Sequence, residues 1–207
     1  MIDTKEKILH TALRLFAKDG YEGVSVSMIA NDIGITKSAL YKHYKNKRDI
    51  FDSILKRMSR NDYERAKEYE MPAEPIDEGK EPYQSATPEE IAVYSKAQFR
   101  YWTQDNFASD FRKMLTLEQY RSSEMSALYH QYLAGGPLDY MADIFGEMLG
   151  SRQDAMQAAL EFYGPMFILY GVYDSADNKS EILTLADRHI DGFIARLNKK
   201  IKSEESK

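Results

Sequence analysis

The sequence predicts an all-α protein of about nine to ten helices. Apolar residues recur three and four positions apart along most of the 207 residues, whereas no segment keeps the alternating pattern of a strand over a useful length. Helix start and stop signals separate the periodic segments. The chain is 43% hydrophobic, which is enough for a core, and it has no cysteine, which excludes a disulfide framework and a thiolate metal site.

The first two helices are each defined by an apolar face and a stop signal. Residues 3–19 form the first helix, which Asp3 or Thr4 caps and which ends at Gly20 as a left-handed terminator. Its inner face consists of Ile8, Leu9, Ala12, Leu15 and Phe16. Ser25 or Ser27 opens the second helix, and Gly34 ends it. The inner face of this helix consists of Met28, Ile29 and Ile33.

A third and a fourth helix follow closely. Thr36 is placed to cap residues 37–43, with Ala39 and Leu40 facing inward, and Asn46 is placed to cap the fourth helix. The buried side of the fourth helix consists of Ile50, Phe51, Ile54, Leu55 and Met58. Residues 71–88 hold four of the six prolines and are predicted to be a loop between the fourth helix and the next one.

The rest of the chain is predicted to be helical as well. Thr87 and Pro88, followed by two glutamates, form a strong helix start, because the hydroxyl caps the helix and the acids lie at the positive end of its dipole. The later helices are expected at about 88–105, 107–121, 123–133, 136–149, 153–173 and 178–200.

Positive charge is concentrated near the N-terminus of this acidic chain. Residues 1–60 hold 12 basic and 7 acidic residues, whereas residues 61–207 hold 16 and 26. The segment 35–49, "ITKSALYKHYKNKRD", has four lysines and an arginine before its single acid. This asymmetry predicts that one end of the protein meets a polyanion, and the alternative is a chance cluster on a solvated surface.

Residues 27–43 have the spacing of a helix-turn-helix, in which the second helix enters the DNA major groove. Lysines would attract phosphates, the start of the second helix would offer N–H groups to another phosphate, and small side chains would let the backbone approach the bases. Leu40 and Ile29 are expected in the core, as is Tyr44. The predicted DNA-contacting residues are Ser27, Thr36, Lys37, Ser38, Ala39, Tyr41, Lys42, His43 and Lys47.

Residues 4–51 resemble the TetR family of bacterial transcriptional repressors. The shared motifs are Ile8-Leu9, Leu15-Phe16, Gly20-Tyr21, Ile29-Ala30, Gly34-Ile35-Thr36, Leu40-Tyr41-Lys42-His43-Tyr44 and Lys47. The departures are mild, with Ala39 where glycine is common and Tyr44 where phenylalanine is common. The resemblance implies a helical homodimer whose first three helices bind an operator, whose fourth links them to a variable ligand-binding body, and whose last two helices form the dimer interface.

The expected domains are therefore a helix-turn-helix domain at 1–48 and an effector-binding and dimerisation domain at 49–207. Residues 155–173 are apolar nearly all round, so such a helix must bury every face, in part against a partner subunit or else wholly inside a monomer. The predicted interface residues are Phe162, Met166, Phe167, Tyr170, His189, Phe193 and Leu197.

The middle helices are rich in rings and thioethers, which suit an adaptable ligand pocket but also an ordinary core. The predicted ligand-contacting residues are Gln98, Trp102, Phe111, Met114, Glu118, Tyr129, Met141 and Phe145. Glu118 interrupts an apolar face and would be a counter-charge, so we expect an apolar or aromatic ligand that is neutral or cationic. The alternatives for Glu118 are solvation and pairing with Arg121.

No enzymatic activity, metal or cofactor is expected. The chain lacks a phosphate-binding glycine loop, and its four histidines are scattered, without the spacing of a helical metal motif. Since no run approaches the roughly 20 apolar residues that cross a bilayer, and since the charged start "MIDTKEKILH" is unlike a signal peptide, we expect a cytoplasmic bacterial protein. The function predicted is a dimeric regulator, a repressor in the simplest case, which a ligand releases from a palindromic operator. The alternative is a DNA-binding regulator or architectural protein without a small-molecule effector.

Overall fold

The computed structural model describes residues 3–72 and 86–205, and all regular elements within them are helices. The first four are α1 (Thr4–Asp19), α2 (Val26–Ile33), α3 (Lys37–Leu40) and α4 (Lys47–Glu68). The other six are α5 (Pro88–Gln104), α6 (Asn106–Glu118), α7 (Ser123–Leu133), α8 (Gly135–Leu149), α9 (Arg152–Ser175) and α10 (Lys179–Glu205). The prediction of an all-α fold is confirmed. Most of the proline-rich segment 71–88 lies outside the described residues.

The helix caps follow the local sequence signals. Ser25, rather than Ser27, opens α2 by accepting a hydrogen bond from the Met28 amide. Thr87 and Glu90 cap α5 reciprocally, since each side chain accepts a hydrogen bond from the other residue's backbone amide. Two predictions were wrong in detail. Gly20 has a positive φ of 78° but an extended ψ of 157°, so it is not a left-handed terminator, and Met28 lies exposed because its sulfur turns back to the Ser25 amide.

The chain forms two compact units. The first comprises residues 1–62 and 105–129, so that α1 packs on both α2 and α6. Its fully buried side chains include Ile8, Phe16, Ile29, Leu40, Phe51 and Phe111. The expected core roles of Ile29 and Leu40 are therefore confirmed, whereas the boundary at residue 48 stays a prediction.

The second unit comprises residues 63–104 and 130–207, in which α9 packs against α5, α8 and α10. Phe145, Phe162 and Phe193 form one aromatic cluster with ring centroids 4.9–5.6 Å apart. Phe99 stacks on Tyr170 at 5.1 Å, and the guanidinium of Arg100 makes two hydrogen bonds to the Asp187 carboxylate, at 2.8 and 2.6 Å. These contacts fix α5, α8, α9 and α10 around one core.

Candidate nucleic-acid interface

The candidate interface is built on the turn between α2 and α3. Gly34 ends α2 in the left-handed region (φ 80°, ψ 31°), where a residue without a Cβ is favoured. The amide of Ile35 then donates to the Ala30 carbonyl at 3.0 Å, which closes the turn. Thr36 begins α3 by accepting a hydrogen bond from the Ala39 amide at 3.1 Å.

The third helix is shorter than predicted. Regular α-helix covers Lys37–Leu40, and the chain continues in a tighter turn, in which the His43 amide donates to the Leu40 carbonyl at 2.9 Å. Tyr44 is 3% exposed and its hydroxyl donates to the Lys5 carbonyl at 3.3 Å, as expected for a core residue. Burial raises the pKa of Tyr44 to about 12.

The residues predicted to contact DNA share one short segment, and most of them face solvent. Thr36, Lys37, Ser38, Tyr41 and Lys42 are exposed, whereas Ser27, Ala39 and His43 are half-buried. The exposed group offers amines and hydroxyls to phosphates and small side chains to base edges. Lys45, one of the lysines expected to attract phosphates, is also exposed and extends this basic surface.

Lys47 is placed differently from the other predicted lysines. Its Nζ donates to the Tyr21 carbonyl at 2.8 Å, lies 4.3 Å from the Tyr21 ring centroid, and is 3.7 Å from the Glu22 carboxylate. The side chain is 22% exposed. Its amine therefore binds residues of the turn that joins α1 and α2.

Arg48 is also paired within the chain. Its guanidinium makes two hydrogen bonds to Glu124 on α7, at 2.8 and 2.6 Å, and one to Asp52 at 2.7 Å. The hydrogen bond from Arg48 holds the pKa of Glu124 below its usual range. Arg48 therefore ties the start of α4 to the start of α7 and carries little uncompensated charge toward DNA.

The residues predicted to contact a ligand fall in both units. Phe111 and Met114 are fully buried on α6, and Tyr129 is half-buried on α7, where burial raises its pKa. Glu118 is 3% exposed, and its carboxylate accepts a hydrogen bond from the Tyr21 amide at 3.2 Å. These four belong to the first unit, in which α6 packs on α1.

The other four predicted ligand contacts belong to the second unit. Phe145 lies in the aromatic cluster and Met141 and Trp102 are buried, whereas Gln98 is half-buried and bonded to Arg65 and Tyr94. A separate cavity of about 350 Å³ lies where α8 meets α9, and none of the predicted ligand contacts lines it. Its lining consists of Ala142, Asp143, Gly146, Glu147, Gly150 and Arg152.

Most of the predicted dimer residues pack inside the chain. Phe162, Met166, Tyr170, Phe193 and Leu197 are each at most 6% exposed, and a ring nitrogen of His189 lies 2.7 Å from the Phe162 carbonyl oxygen. Phe167 is the exception at 37% exposed. It belongs to an exposed apolar stripe on α9 that also contains Leu160, Ile168 and Val172. Gly164 and Gly171 lie on the same face, and a Cβ on either would meet no atom within 4 Å.

In the part of the chain that the structure describes, no helix is long and apolar enough to span a membrane. Within the same residues, no group of three histidine or acidic side chains is arranged to hold a metal ion.

The N-terminal segment that contains the helix-turn-helix is similar to known bacterial regulators. The family model for bacterial regulatory proteins of the tetR family matches residues 8–54. The HTH-type transcriptional regulator AcrR of Shigella flexneri is 37% identical over 76 residues, which are 36% of this chain and 35% of that protein. The negative regulator IcaR of Staphylococcus aureus strain Newman is 36% identical over 52 residues, 25% of this chain and 28% of its own length. The matched segments thus cover about a third or less of these relatives.

Solved structures extend the likeness to the whole fold. A TetR-family transcriptional regulator from Bordetella parapertussis 12822 aligns with a TM-score of 0.65 at 22% identity and covers 93% of this chain and 95% of its own. FadR from Bacillus subtilis, solved in complex with stearoyl-CoA, aligns with a TM-score of 0.62 at 22% identity, covering 91% and 97%. The segment that contains the helix-turn-helix thus matches the tetR family of bacterial regulatory proteins, and the chain shares its fold with solved TetR-family regulators.

Proposed function

We propose that the protein is a repressor that binds a palindromic operator as a homodimer and is released by a small molecule. The observation that carries this proposal is the exposed basic surface on α3 and the turn after it, in a chain whose remainder is acidic. Lys37, Lys42 and Lys45 would neutralise phosphates, while Ser38 and Ala39 would lie against base edges. The relatives named above are regulators by name, which supports a regulatory rather than an enzymatic role.

The test of operator binding starts from duplexes selected out of a randomised DNA pool by the wild-type protein. The double variant Lys37→Ala/Lys42→Ala should bind the selected duplex at least tenfold more weakly at moderate salt. The matched control is Lys199→Ala/Lys200→Ala, which removes the same charge from exposed positions on α10. Equal binding by both double variants would contradict the proposal, as would selection that enriches no sequence.

The exposed stripe on α9 supports self-association. Leu160, Phe167, Ile168 and Val172 are 37–65% exposed and recur at helical spacing on one face. Leu185, on α10, is 44% exposed. Exposed apolar patches of this kind mark interaction surfaces, and a two-fold dimer would bury the same patch on both subunits. Two recognition elements related by that symmetry would contact two half-sites of a palindrome.

The proposed effector is an apolar or aromatic molecule that is neutral or cationic, and we propose that it binds near Gln98 in the second unit. Arg65 on α4 donates from Nε to Gln98 Oε1 at 2.8 Å, and its guanidinium carbon lies 4.4 Å from the Tyr101 ring centroid and 5.8 Å from that of Tyr69. Tyrosine faces and an amide oxygen thus already hold a cation. A cationic ligand would compete with Arg65 for the same groups.

A further inference from the structure

The turn between α1 and α2 is held by the last residue of α6. Glu118 is 3% exposed, and its Oε1 accepts a hydrogen bond from the Tyr21 amide at 3.2 Å. The two residues are 97 positions apart in sequence. The contact therefore depends on the packing of α1 against α6 and not on any local signal.

A carboxylate in this place is costly unless it has a specific use. Burial of a charged group is unfavourable unless hydrogen bonds or an opposite charge compensate it. In residues 3–72 and 86–205, no basic side chain forms an ion pair with Glu118. Its carboxylate is thus directed at the backbone of the turn.

Gly20 makes room for that carboxylate. A Cβ built on Gly20 would lie 2.6 Å from Glu118 Oε1, and the φ of +78° is one that other residues rarely adopt. Any side chain at position 20 would therefore push the carboxylate away from the Tyr21 amide.

Two residues of α4 contact Tyr21 on its other side. Its carbonyl accepts the hydrogen bond from Lys47, and its ring lies 5.1 Å from the rings of both Phe16 and Phe51. The amide of Tyr21 is thus fixed by α6 and its carbonyl by α4. The four residues that follow lead directly into α2, so the position of this turn sets the direction in which the helix-turn-helix begins.

We propose that Glu118 is a positioning residue for operator binding, which transmits displacement of α6 to the helix-turn-helix through the Tyr21 amide. The proposal rests on the proposed operator-binding function. With the hydrogen bond in place, the turn presents α2 and α3 in the binding arrangement. Withdrawal of the C-terminal end of α6 releases the turn and lowers operator affinity.

The experiment compares Glu118→Gln with Glu118→Leu. Glutamine keeps an oxygen that can accept the Tyr21 amide, so operator affinity should stay within about threefold of wild type. Leucine fills similar volume without an acceptor. This variant removes the cost of burying a charge but leaves the Tyr21 amide without an acceptor. Because the two effects oppose each other, the thermal midpoint should change little, while the selected duplex should bind about tenfold more weakly. Gln119→Leu, at the next position, is the control and should bind as wild type does.

A second measurement separates positioning from a merely structural role. Hydrogen exchange at the Tyr21 amide should accelerate in Glu118→Leu and remain protected in Glu118→Gln. Should Glu118→Leu not fold, Glu118→Ala takes its place with the same two measurements. The proposal is overturned if the variant without an acceptor binds the duplex as tightly as wild type, or if Glu118→Gln loses as much affinity as that variant. It is also overturned if hydrogen exchange at the Tyr21 amide is the same in all variants. Failure of the wild-type protein to select any duplex would instead overturn the proposed function, and the exchange measurement would still test the contact.

Discussion

The side-chain amine of Lys47 is bound to the backbone of Tyr21, with Nζ 2.8 Å from the carbonyl oxygen and 4.3 Å from the ring centroid. A lysine that the sequence assigns to DNA contact thus supports the turn beneath the helix-turn-helix. Its positive charge is partly shared with that turn, which distinguishes it from the exposed lysines around it.

Substitution should separate these two kinds of lysine. Lys47→Ala removes a charge-assisted hydrogen bond and a cation–π contact, so we expect the free energy of unfolding to fall by about 1–3 kcal/mol. Lys42→Ala, on the exposed surface, should change it by less than about 0.5 kcal/mol and reduce the salt dependence of operator binding by about one unit. Denaturant titrations and binding at several salt concentrations measure both effects. If Lys47→Ala were as stable as wild type, Lys47 would not support the turn at Tyr21.

The raised pKa of Tyr44 predicts a loss of stability at high pH. The folded-state pKa is about 12, above the usual value of 10.0 for the unfolded chain. The unfolded state therefore loses this proton first, so stability that is present below pH 10 should decline as the pH rises toward 12. In Tyr44→Phe this part of the decline, at most roughly 2–3 kcal/mol, should be absent. The difference between the two unfolding profiles from pH 9 to 12 measures it, and parallel profiles would show that Tyr44 ionises freely.

The apolar stripe on α9 predicts a charge-sensitive dimer. Ile168→Asp places a carboxylate at its most exposed member, so the protein should become monomeric at micromolar concentration, as measured by light scattering. Val93→Asp is the matched control, because Val93 on α5 is also an exposed apolar residue, at 59%, and should leave the dimer intact. A dimer in both variants would place the interface elsewhere.

The charge of Arg65 should determine how tightly the proposed effector site binds cationic compounds. Arg65→Met removes the cation that occupies the faces of Tyr69 and Tyr101. Cationic aromatic compounds should therefore bind this variant several-fold more tightly than they bind the wild-type protein. Tyr101→Ala should weaken the binding of the same compounds. Arg196→Met, in which the lost guanidinium lies 5.9 Å from the Phe193 ring centroid, serves as control. Calorimetry with cationic aromatic compounds and matched aromatic carboxylates measures the affinities, and tighter binding of the carboxylates to wild type would contradict the predicted ligand class.

Local signals predicted those parts of the fold that local contacts determine. The caps by Thr36 and Thr87 bond to amides three residues further on, so their chemistry can be recognised in a short stretch of sequence. The bonds of Glu118 to Tyr21 and of Arg48 to Glu124 join residues 97 and 76 positions apart. The sequence did mark Glu118 as an acid within an apolar face, but it gave no information on which backbone group would meet it.

The dimer residues illustrate a second limit. A helix that is apolar nearly all round has no preferred inner face, so its pattern does not distinguish a side that packs within the chain from one that stays exposed. Phe162 and Ile168 look alike in sequence, yet their exposed fractions are 1% and 65%. Only the packing of α9 against α5, α8 and α10 separates them.

Gly164 and Gly171 leave two gaps in the exposed stripe of α9, next to the bulk of Phe167. A cell that makes several regulators of one fold must keep their subunits from mixing, because a hybrid pair would recognise one half-site from each parent. Steric clashes against a wrong partner add to the specificity that attractive contacts provide. In the proposed dimer, the gaps and bulk along α9 would therefore favour pairing with an identical subunit. Filling one gap in one copy, as in Gly164→Val, and trimming Phe167 to alanine in a second copy should yield two subunits that prefer each other to themselves.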